Sequence, residues 1–140
     1  MLTRPMLVVE SVASDEEQAR LSLLLGETVY RLDRIRGQGD QLLVENIRLP
    51  AALFPSLQTP VPRISELADA YALELGEALE RVTAVPASAD IAKALRVAEG
   101  SLLLMLDRVV HLRDGRPAEW RTMYCLDQGR LARLEDRLGL

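Results

Sequence analysis

The 140-residue sequence contains one cysteine and one histidine, and only 4% of its residues are aromatic. A single cysteine, Cys125, excludes an internal disulfide and any zinc site built from cysteines. It also suits a reducing compartment, so we expect a cytoplasmic protein. A Cys–His catalytic pair would have to join Cys125 to His111, and nothing in the sequence places those two residues together.

The sequence also lacks an excess of basic charge and a long apolar run. Its formal net charge is -4 and its pI is near 5.1, which argues against this chain holding nucleic acid by itself. No apolar run approaches the roughly 20 residues that span a bilayer, and no signal-peptide pattern follows Met1. Metal-ligand spacings and phosphate-cradling glycine loops are missing too, so we expect neither a metal nor a cofactor.

The length fits one domain over 1–140, and 49% of the residues are hydrophobic, enough for a sizeable core. Hydrophobic periodicity, caps and turn residues predict a mixture of strands and short helices. In order, these are a strand at 6–12, a helix from the Ser14 cap to about Leu24, strands at 28–36 and 42–49, an irregular proline-rich connection at 50–62, a helix at 64–75, a strand at 80–85, a helix from the Ser88 cap to about Ala98, strands at 101–111 and 117–126, and a short terminal helix within 128–140.

Charged side chains lie on strand faces that are otherwise apolar. The period of two places Arg34 and Arg36 on such a face of the first hairpin strand, and Glu45 on such a face of the second. Burying a charge costs several kcal/mol unless it is paired or hydrogen-bonded. These residues therefore either neutralise one another or line a cavity that a polar guest fills.

The chain contains an internal repeat. A shift of 74 positions carries residues 13–45 onto 87–119 without a gap, matching Ser14 to Ser88, Gly26 to Gly100 and Glu45 to Glu119. The shared unit is helix, glycine, strand, turn, strand. Two such units can lay their hairpins into one antiparallel sheet with helices on a face, which predicts an α+β fold.

The repeat also predicts how the strands are aligned. If the second hairpin pairs Val110 with Glu119 about its Asp114-Gly115 turn, the repeat places Arg36 opposite Glu45, as a cross-strand ion pair. The same alignment places Arg121 opposite Arg108, a repulsion that an anionic ligand or a nearby carboxylate would relieve.

Several motifs follow one another in a characteristic order. They are Tyr-Arg-Leu-Asp-Arg-Ile-Arg from Tyr30, then Glu45 and Leu49-Pro50, then Leu53-Phe54-Pro55, and finally the run from Leu95 to Arg108 that leads to Asp114-Gly115 and Glu119. This order resembles the UTRA domain, the ligand-sensing domain of GntR-type transcription regulators of the HutC subfamily. The resemblance covers about 5–134.

The resemblance implies a chorismate-lyase-like fold, a homodimer, and a pocket for a small polar or anionic effector that changes the affinity for operator DNA. The winged helix-turn-helix of such regulators is missing from this chain. DNA would therefore be a partner only through an N-terminal domain, and no membrane partner is expected.

The resemblance also implies which residues bind the ligand. The two arginines of the Arg-x-Arg strand would hold an anionic group, each hairpin would contribute a carboxylate, and a serine opening the middle helix would help bind a phosphate. Many sugar-phosphate sensors of the family follow the second glutamate with a Tyr-Arg-Gly-Asp-Arg-Tyr stretch. This chain has Tyr-Cys-Leu-Asp-Gln from Tyr124 instead, and its tyrosine comes one residue earlier. The expected ligand-binding residues are Arg34, Arg36, Glu45, Ser65, Glu119, Arg121 and Tyr124.

Two alternatives remain open at this point. An enzyme similar to chorismate lyase, which releases pyruvate from chorismate, would use Glu45 or Glu119 as the acid. No nucleophile, base and orienting group accompany these two carboxylates, so we favour a sensor over an enzyme. A ligand-free dimerisation module is the second alternative, and it would be favoured if the buried charges prove fully paired with no cavity between them.

Overall fold

The computed structural model describes residues 7–38, 41–57 and 59–126. Six strands and three short helices follow one another along the chain. They are β1 (Leu7–Val12), α1 (Asp15–Leu21), β2 (Thr28–Gln38), β3 (Gln41–Pro50), α2 (Ile64–Ala70), β4 (Leu75–Pro86), α3 (Ala89–Leu95), β5 (Leu102–Leu112) and β6 (Pro117–Cys125). No helix in these ranges is long and apolar enough to cross a membrane.

The six strands form one antiparallel sheet in the order β1-β2-β3-β6-β5-β4. The predicted α+β class is therefore confirmed. Helices α1 and α3 pack on one face of the sheet, which we call the α1/α3 face. Helix α2 and the connection before it cover the other face, the α2 face, where Phe54 and Leu67 pack against Leu32, Ile47 and Leu49.

The duplication includes the strand before each helix as well. The units β1–α1–β2–β3 and β4–α3–β5–β6 share backbone hydrogen bonds at equivalent positions. The Ala13 amide donates to the Glu27 carbonyl at 2.9 Å, and 74 residues later the Ala87 amide donates to the Ser101 carbonyl at 2.8 Å. The two units meet at the seam between β3 and β6, in the middle of the sheet.

The predicted starts of α1 and α3 are confirmed, and the predicted ends of these two helices are too late. Ser14 and Ser88 are the N-caps of α1 and α3, but Ser22 and Arg96 adopt the left-handed conformation and end the helices at Leu21 and Leu95. A left-handed residue after the last turn satisfies free carbonyl groups there. The glycines that follow belong to the next turn instead.

The predicted helix at 64–75 is wrong in its second half. Helix α2 ends at Ala70, and Leu75 already begins β4, which the sequence placed only from residue 80. Gly76 lies inside this strand, where a Cβ atom would come within 2.8 Å of the Leu112 carbonyl oxygen. The glycine therefore permits close strand contact and does not end a helix. The irregular connection is confirmed for its described residues, and the predicted terminal helix lies outside the described residues.

One of the predicted cross-strand pairs is wrong. The pairs of Val110 with Glu119 and of Arg108 with Arg121 are present, but Glu45 lies opposite Arg34, and Arg36 lies opposite Leu43. The second hairpin has one more residue in its turn than the first and a bulge next to Val110. Together these shift its alignment by two positions, which a gapless sequence repeat does not reveal.

Candidate functional site

Six charged side chains from four strands meet on the α2 face. Strand β2 contributes Arg34 and Arg36, β3 contributes Glu45, β5 contributes Arg108, and β6 contributes Glu119 and Arg121. We call this group the charge cluster. Its side chains are only 0–18% exposed, because each strand turns every second residue towards this face and the flanking apolar residues are buried there.

Glu45 is the centre of the cluster and is fully buried. Its Oε1 atom accepts a hydrogen bond from Arg34 Nε at 2.5 Å, and its Oε2 atom accepts one from Arg121 Nη1 at 3.4 Å. Arg36 Nη1 lies 3.9 Å from the same Oε2, which is an ion-pair distance but too long for a hydrogen bond. One carboxylate therefore serves three guanidinium groups.

The arginines of the cluster differ in how well they are compensated. Burial would lower the pKa of Arg121, but the carboxylates of Glu119 and Glu45 outweigh it, and the pKa is raised above its ordinary value. For Arg36, burial and the repulsion of Arg34 outweigh the attraction of Glu45, so its pKa is lowered. Its single ion pair, with Glu45, is also the longest in the cluster, so Arg36 is the arginine with the weakest compensation.

The cluster contains more positive charge than negative charge. Four arginines face two glutamates, and counting the half-exposed Glu80 beside Arg108 still leaves one positive charge unmatched. The Nε atoms of Arg36, Arg108 and Arg121 are buried and have no hydrogen-bond partner among the described residues. Buried donors without partners are costly, and an anion bound beside Arg36 and Arg121 would both accept such bonds and cancel the charge.

A cavity of about 220 Å³ separates the cluster from α2. Arg34, Arg36, Glu119 and Arg121 form its charged floor, and Glu45 lies beneath them. The opposite wall comes from α2 and the segment before it. The other lining residues are Ile47, Leu49, Val61, Pro62, Arg63, Glu66 and Leu67. A small metabolite with an anionic group and a partly apolar body fits such a cavity.

Comparison with known proteins gives the family. The family model described as the UTRA domain matches residues 3–127. This chain belongs to the UTRA domain family. The crystal structure of a GntR-family transcriptional regulator from Enterococcus faecalis has the same fold, with a TM-score of 0.81 and 22% identity over 89% of this chain and 93% of that one.

Two further relatives of this UTRA domain share more of its sequence. The ligand-binding domain of a GntR-family transcriptional regulator from Bordetella bronchiseptica is 27% identical, with a TM-score of 0.78 over 91% of this chain and 84% of that one. The HTH-type transcriptional regulator Rv0792c of Mycobacterium tuberculosis is 29% identical in an alignment of 109 residues that covers 71% of this chain. The match spans 40% of the length of that regulator.

Five of the seven residues predicted from the sequence come together in the UTRA domain, and two do not. Ser65 lies in the first turn of α2, but its side chain is exposed and does not line the cavity. Tyr124 lies on the α1/α3 face, because strand alternation turns it away from its neighbour Cys125, which packs on the α2 face. The one-residue offset of the tyrosine therefore moves it to the other side of the sheet.

Three charged residues near the site were not predicted. Arg63 and Glu66 form an ion pair of 3.0 Å in the first turn of α2 and line the cavity, and their spacing of three on a helix was a usable signal. Arg108 is buried behind Glu119. The sequence placed it opposite Arg121, and the repulsion between these two arginines was the signal that could have included Arg108 in the site.

A larger cavity, of about 450 Å³, lies on the α1/α3 face and holds Tyr124 and Trp120 among its lining residues. Its buried carboxylates already have partners. Glu17 accepts hydrogen bonds from Arg31 and lies 3.1 Å from Arg48 Nε, and Asp107 accepts one from Trp120 and pairs with Arg20. These carboxylates and their basic partners therefore leave no unmatched charge for a ligand to neutralise. The smaller cavity, with its unmatched arginines, is therefore the better candidate for an anionic ligand.

The part of the UTRA domain that the structure describes contains no candidate metal site. Within the described ranges no three His, Cys, Asp or Glu side chains lie close enough together to hold a metal ion. The chemistry that the site offers is recognition by charge-assisted hydrogen bonds from several guanidinium groups.

Proposed function

We propose that this UTRA domain is the effector-binding and dimerisation domain of a GntR transcription regulator of the HutC subfamily. A small polar or anionic metabolite binds in the cavity on the α2 face. The observation that carries the proposal is the excess of buried guanidinium groups facing that cavity, with Arg36 the least compensated of them. A protein that only needed a stable sheet would gain more from apolar residues at these positions.

The residues have distinct roles in this proposal. Arg34, Arg36 and Arg121 donate hydrogen bonds to the anionic group, and Glu119 borders the cavity as an acceptor for polar groups of the ligand. Glu45 lies under the floor and positions the arginines. Ser65 and Tyr124 are left out, since one is exposed beside the cavity and the other lies on the opposite face.

The ligand acts by shifting a population. Binding draws α2 and the segment before it onto the charged floor, and this changes how two copies of the domain are arranged. DNA is bound by an N-terminal domain outside this chain, whose spacing in the homodimer follows that arrangement. The setting is the bacterial cytoplasm, and the protein is not an enzyme.

The proposal is tested by a thermal-shift screen of small anions and neutral metabolites. A ligand at 100 times its dissociation constant adds about 2.7 kcal/mol to the free energy of unfolding. In Arg36→Gln the affinity for an anionic hit falls by about tenfold or more, because a charge-assisted hydrogen bond of about 1.5–3 kcal/mol is lost. Arg81→Gln, which removes an exposed arginine of β4, is the matched control. Equal shifts in the wild type and in Arg36→Gln would show that the ligand binds elsewhere.

A lyase on the same fold is the second candidate, and one observation supports it. Glu119 borders the cavity beside the arginines, and its Oε1 atom has no hydrogen-bond partner among the described residues. Such a carboxyl group could donate a proton to a bound dicarboxylate. Steady release of pyruvate from chorismate, abolished in Glu119→Gln, would favour this enzyme over the sensor.

A further inference from the structure

Arg108 is buried in the charge cluster but does not line the cavity. Its side chain is 7% exposed and lies between two carboxylates on neighbouring strands. Its Nη2 atom is 3.6 Å from Glu119 Oε1 on β6, and its Nη1 atom is 3.6 Å from Glu80 Oε1 on β4. Both distances are too long for hydrogen bonds, so this guanidinium group is shared between two partners and committed to neither.

The ion pairs on the α2 face form one continuous network across four strands. From the cavity floor, Glu45 contacts Arg121, Arg121 contacts Glu119, and Glu119 contacts Arg108. The last link is Glu80 on β4, the strand at the edge of the sheet. The Glu80 side chain is 45% exposed, so this network of ion pairs connects the cavity floor to the protein surface.

Arg108 and Arg121 lie directly opposite each other on β5 and β6, and Glu119 is the acceptor between them. Its Oε2 atom accepts a hydrogen bond from Arg121 at 3.0 Å, whereas its Oε1 atom has no hydrogen-bond partner among the described residues. A stronger contact from Arg108 to Oε1 would satisfy that oxygen and neutralise more of the carboxylate. Arg121 would then be less strongly held and more available to an anion in the cavity.

We infer that Arg108 is a positioning residue of the ligand site, and that Glu80, outside the cavity, weakens anion binding by drawing Arg108 away from Glu119. This inference rests on the proposed function for its anionic ligand, and it adds a residue on the edge strand, Glu80, that adjusts the affinity for that ligand. A change that removes the contact between Glu80 and Arg108 lets Arg108 approach Glu119 and raises the affinity for the anion. A change that strengthens this contact lowers the affinity for the anion.

The test measures inorganic phosphate binding by calorimetry in single variants of the whole chain. Glu80→Gln tightens binding by about threefold to tenfold, the range that coupled neighbours in one charge network show. Glu80→Asp separates contact from charge, because the shorter side chain keeps the charge but does not reach Arg108. Glu80→Asp has the phosphate affinity of Glu80→Gln if the contact with Arg108 controls the affinity. It has the affinity of the wild type if only net charge controls it. Glu77→Gln, on the same exposed stretch of β4, is the control and leaves the affinity unchanged.

A double-mutant cycle then identifies Arg108 as the intermediary. In an Arg108→Lys background, Glu80→Gln no longer changes phosphate affinity, because the compact ammonium group does not bridge the two carboxylates. An effect of Glu80→Gln that persists in this background, or wild-type affinity in Glu80→Asp, overturns the inference. A purely structural role would change the melting temperature and leave the affinity ratios alone.

Crystal structures of the free wild type and Glu80→Gln need no ligand. The distance from Arg108 Nη2 to Glu119 Oε1 shortens in the variant to about 2.7–3.2 Å, and an unchanged distance contradicts the inference. If the wild type binds neither phosphate nor any other anion, the proposed function fails, whereas the structures still decide whether Arg108 moves as described.

Discussion

At the scale of single residues, Glu45 supplies the negative charge that compensates three buried arginines of this domain. It is fully buried and lies within 4.0 Å of Arg34, Arg36 and Arg121. A buried ion pair contributes little when compared with an apolar pair of the same shape, but removing one partner leaves an uncompensated charge. Glu45 is the partner of three residues at once.

Glu45→Gln is therefore expected to lower the free energy of unfolding by about 3–5 kcal/mol, the cost of breaking a buried ion pair. Chemical denaturation of the two proteins measures the difference. The matched control is Glu66→Gln, which removes an exposed partner of Arg63 and should cost less than about 1 kcal/mol. Equal small losses in the two variants would show that water already compensates the arginines of the cluster.

The sequence was sufficient to find these residues but not to align their strands. Alternation alone indicates that Arg34, Arg36 and Glu45 point the same way, because a strand has only two faces. Which arginine lies opposite Glu45 is set by the turn between β2 and β3. The second hairpin is no guide to it, because that hairpin has a longer turn and a bulge next to Val110, and neither feature leaves a signal in the hydrophobic pattern. Arg108 was missed as a site residue for a similar reason, since its partner Glu80 lies on a strand that the repeat did not include.

At the scale of helices and strands, the two copies of the unit use the same fold with different chemistry. Ser14 and Ser88 cap α1 and α3 in the same way, but the residue three positions on is Glu17 in the first copy and Ile91 in the second. Glu17 completes a capping box with Ser14 and accepts hydrogen bonds from Arg31. The start of α1 is therefore part of a charged network on the α1/α3 face, whereas the start of α3 is a simple N-cap.

The pH dependence of stability should show this network. The hydrogen bonds from Arg31, against the opposing effect of burial, hold the pKa of Glu17 down to about 2 from 4.5. A carboxyl group whose pKa is lowered on folding adds stability above its unfolded pKa, and that stability is lost as the pH falls through the folded pKa. Wild type should exceed Glu17→Gln by about 2 kcal/mol at pH 7. The difference should shrink between pH 4.5 and about 2, as followed by urea denaturation.

The result that would contradict this prediction is a constant difference between wild type and Glu17→Gln from pH 7 down to about 2. That outcome would mean that shape and capping, rather than the carboxylate charge, account for the contribution of Glu17. The corresponding variant of the second copy, Ile91→Val, carries no charge and serves as the control for a pH-independent change at the same helical position.

Helix starts were easier to predict than helix ends, and the reason is local. A serine followed by acidic residues satisfies free amide groups by itself, so Ser14 and Ser88 can be read directly. The ends depend on Ser22 and Arg96 taking a left-handed conformation that neither residue type prefers. The pattern from 64 to 75 continued past the real end of α2 because Tyr71, Leu73 and Leu75, which pack against the same core from the turn and the start of β4, also fit a helical period.

At the scale of the whole molecule, the charge cluster belongs to neither half alone. Arg34 and Glu45 of the first unit correspond to Arg108 and Glu119 of the second, and Arg121 reaches across the seam to Glu45 at 3.4 Å. The sheet order places the two units back to back through β3 and β6. The cavity floor is thus a product of the duplication, and each half supplies charges that the other needs.

The two halves should therefore fold only together. Cutting the chain after Ala72, in the turn between α2 and β4, gives 1–72 and 73–140. Each piece alone would expose the seam residues, among them Ile47 and Met123, which are buried in the whole domain. The second piece would also keep Arg108 and Arg121 with only Glu119 and the half-exposed Glu80 to balance them. Circular dichroism should show no cooperative thermal transition for either piece and a restored transition on mixing. A monomeric 73–140 with its own sharp transition would instead mean that the second unit carries a sufficient core without the seam.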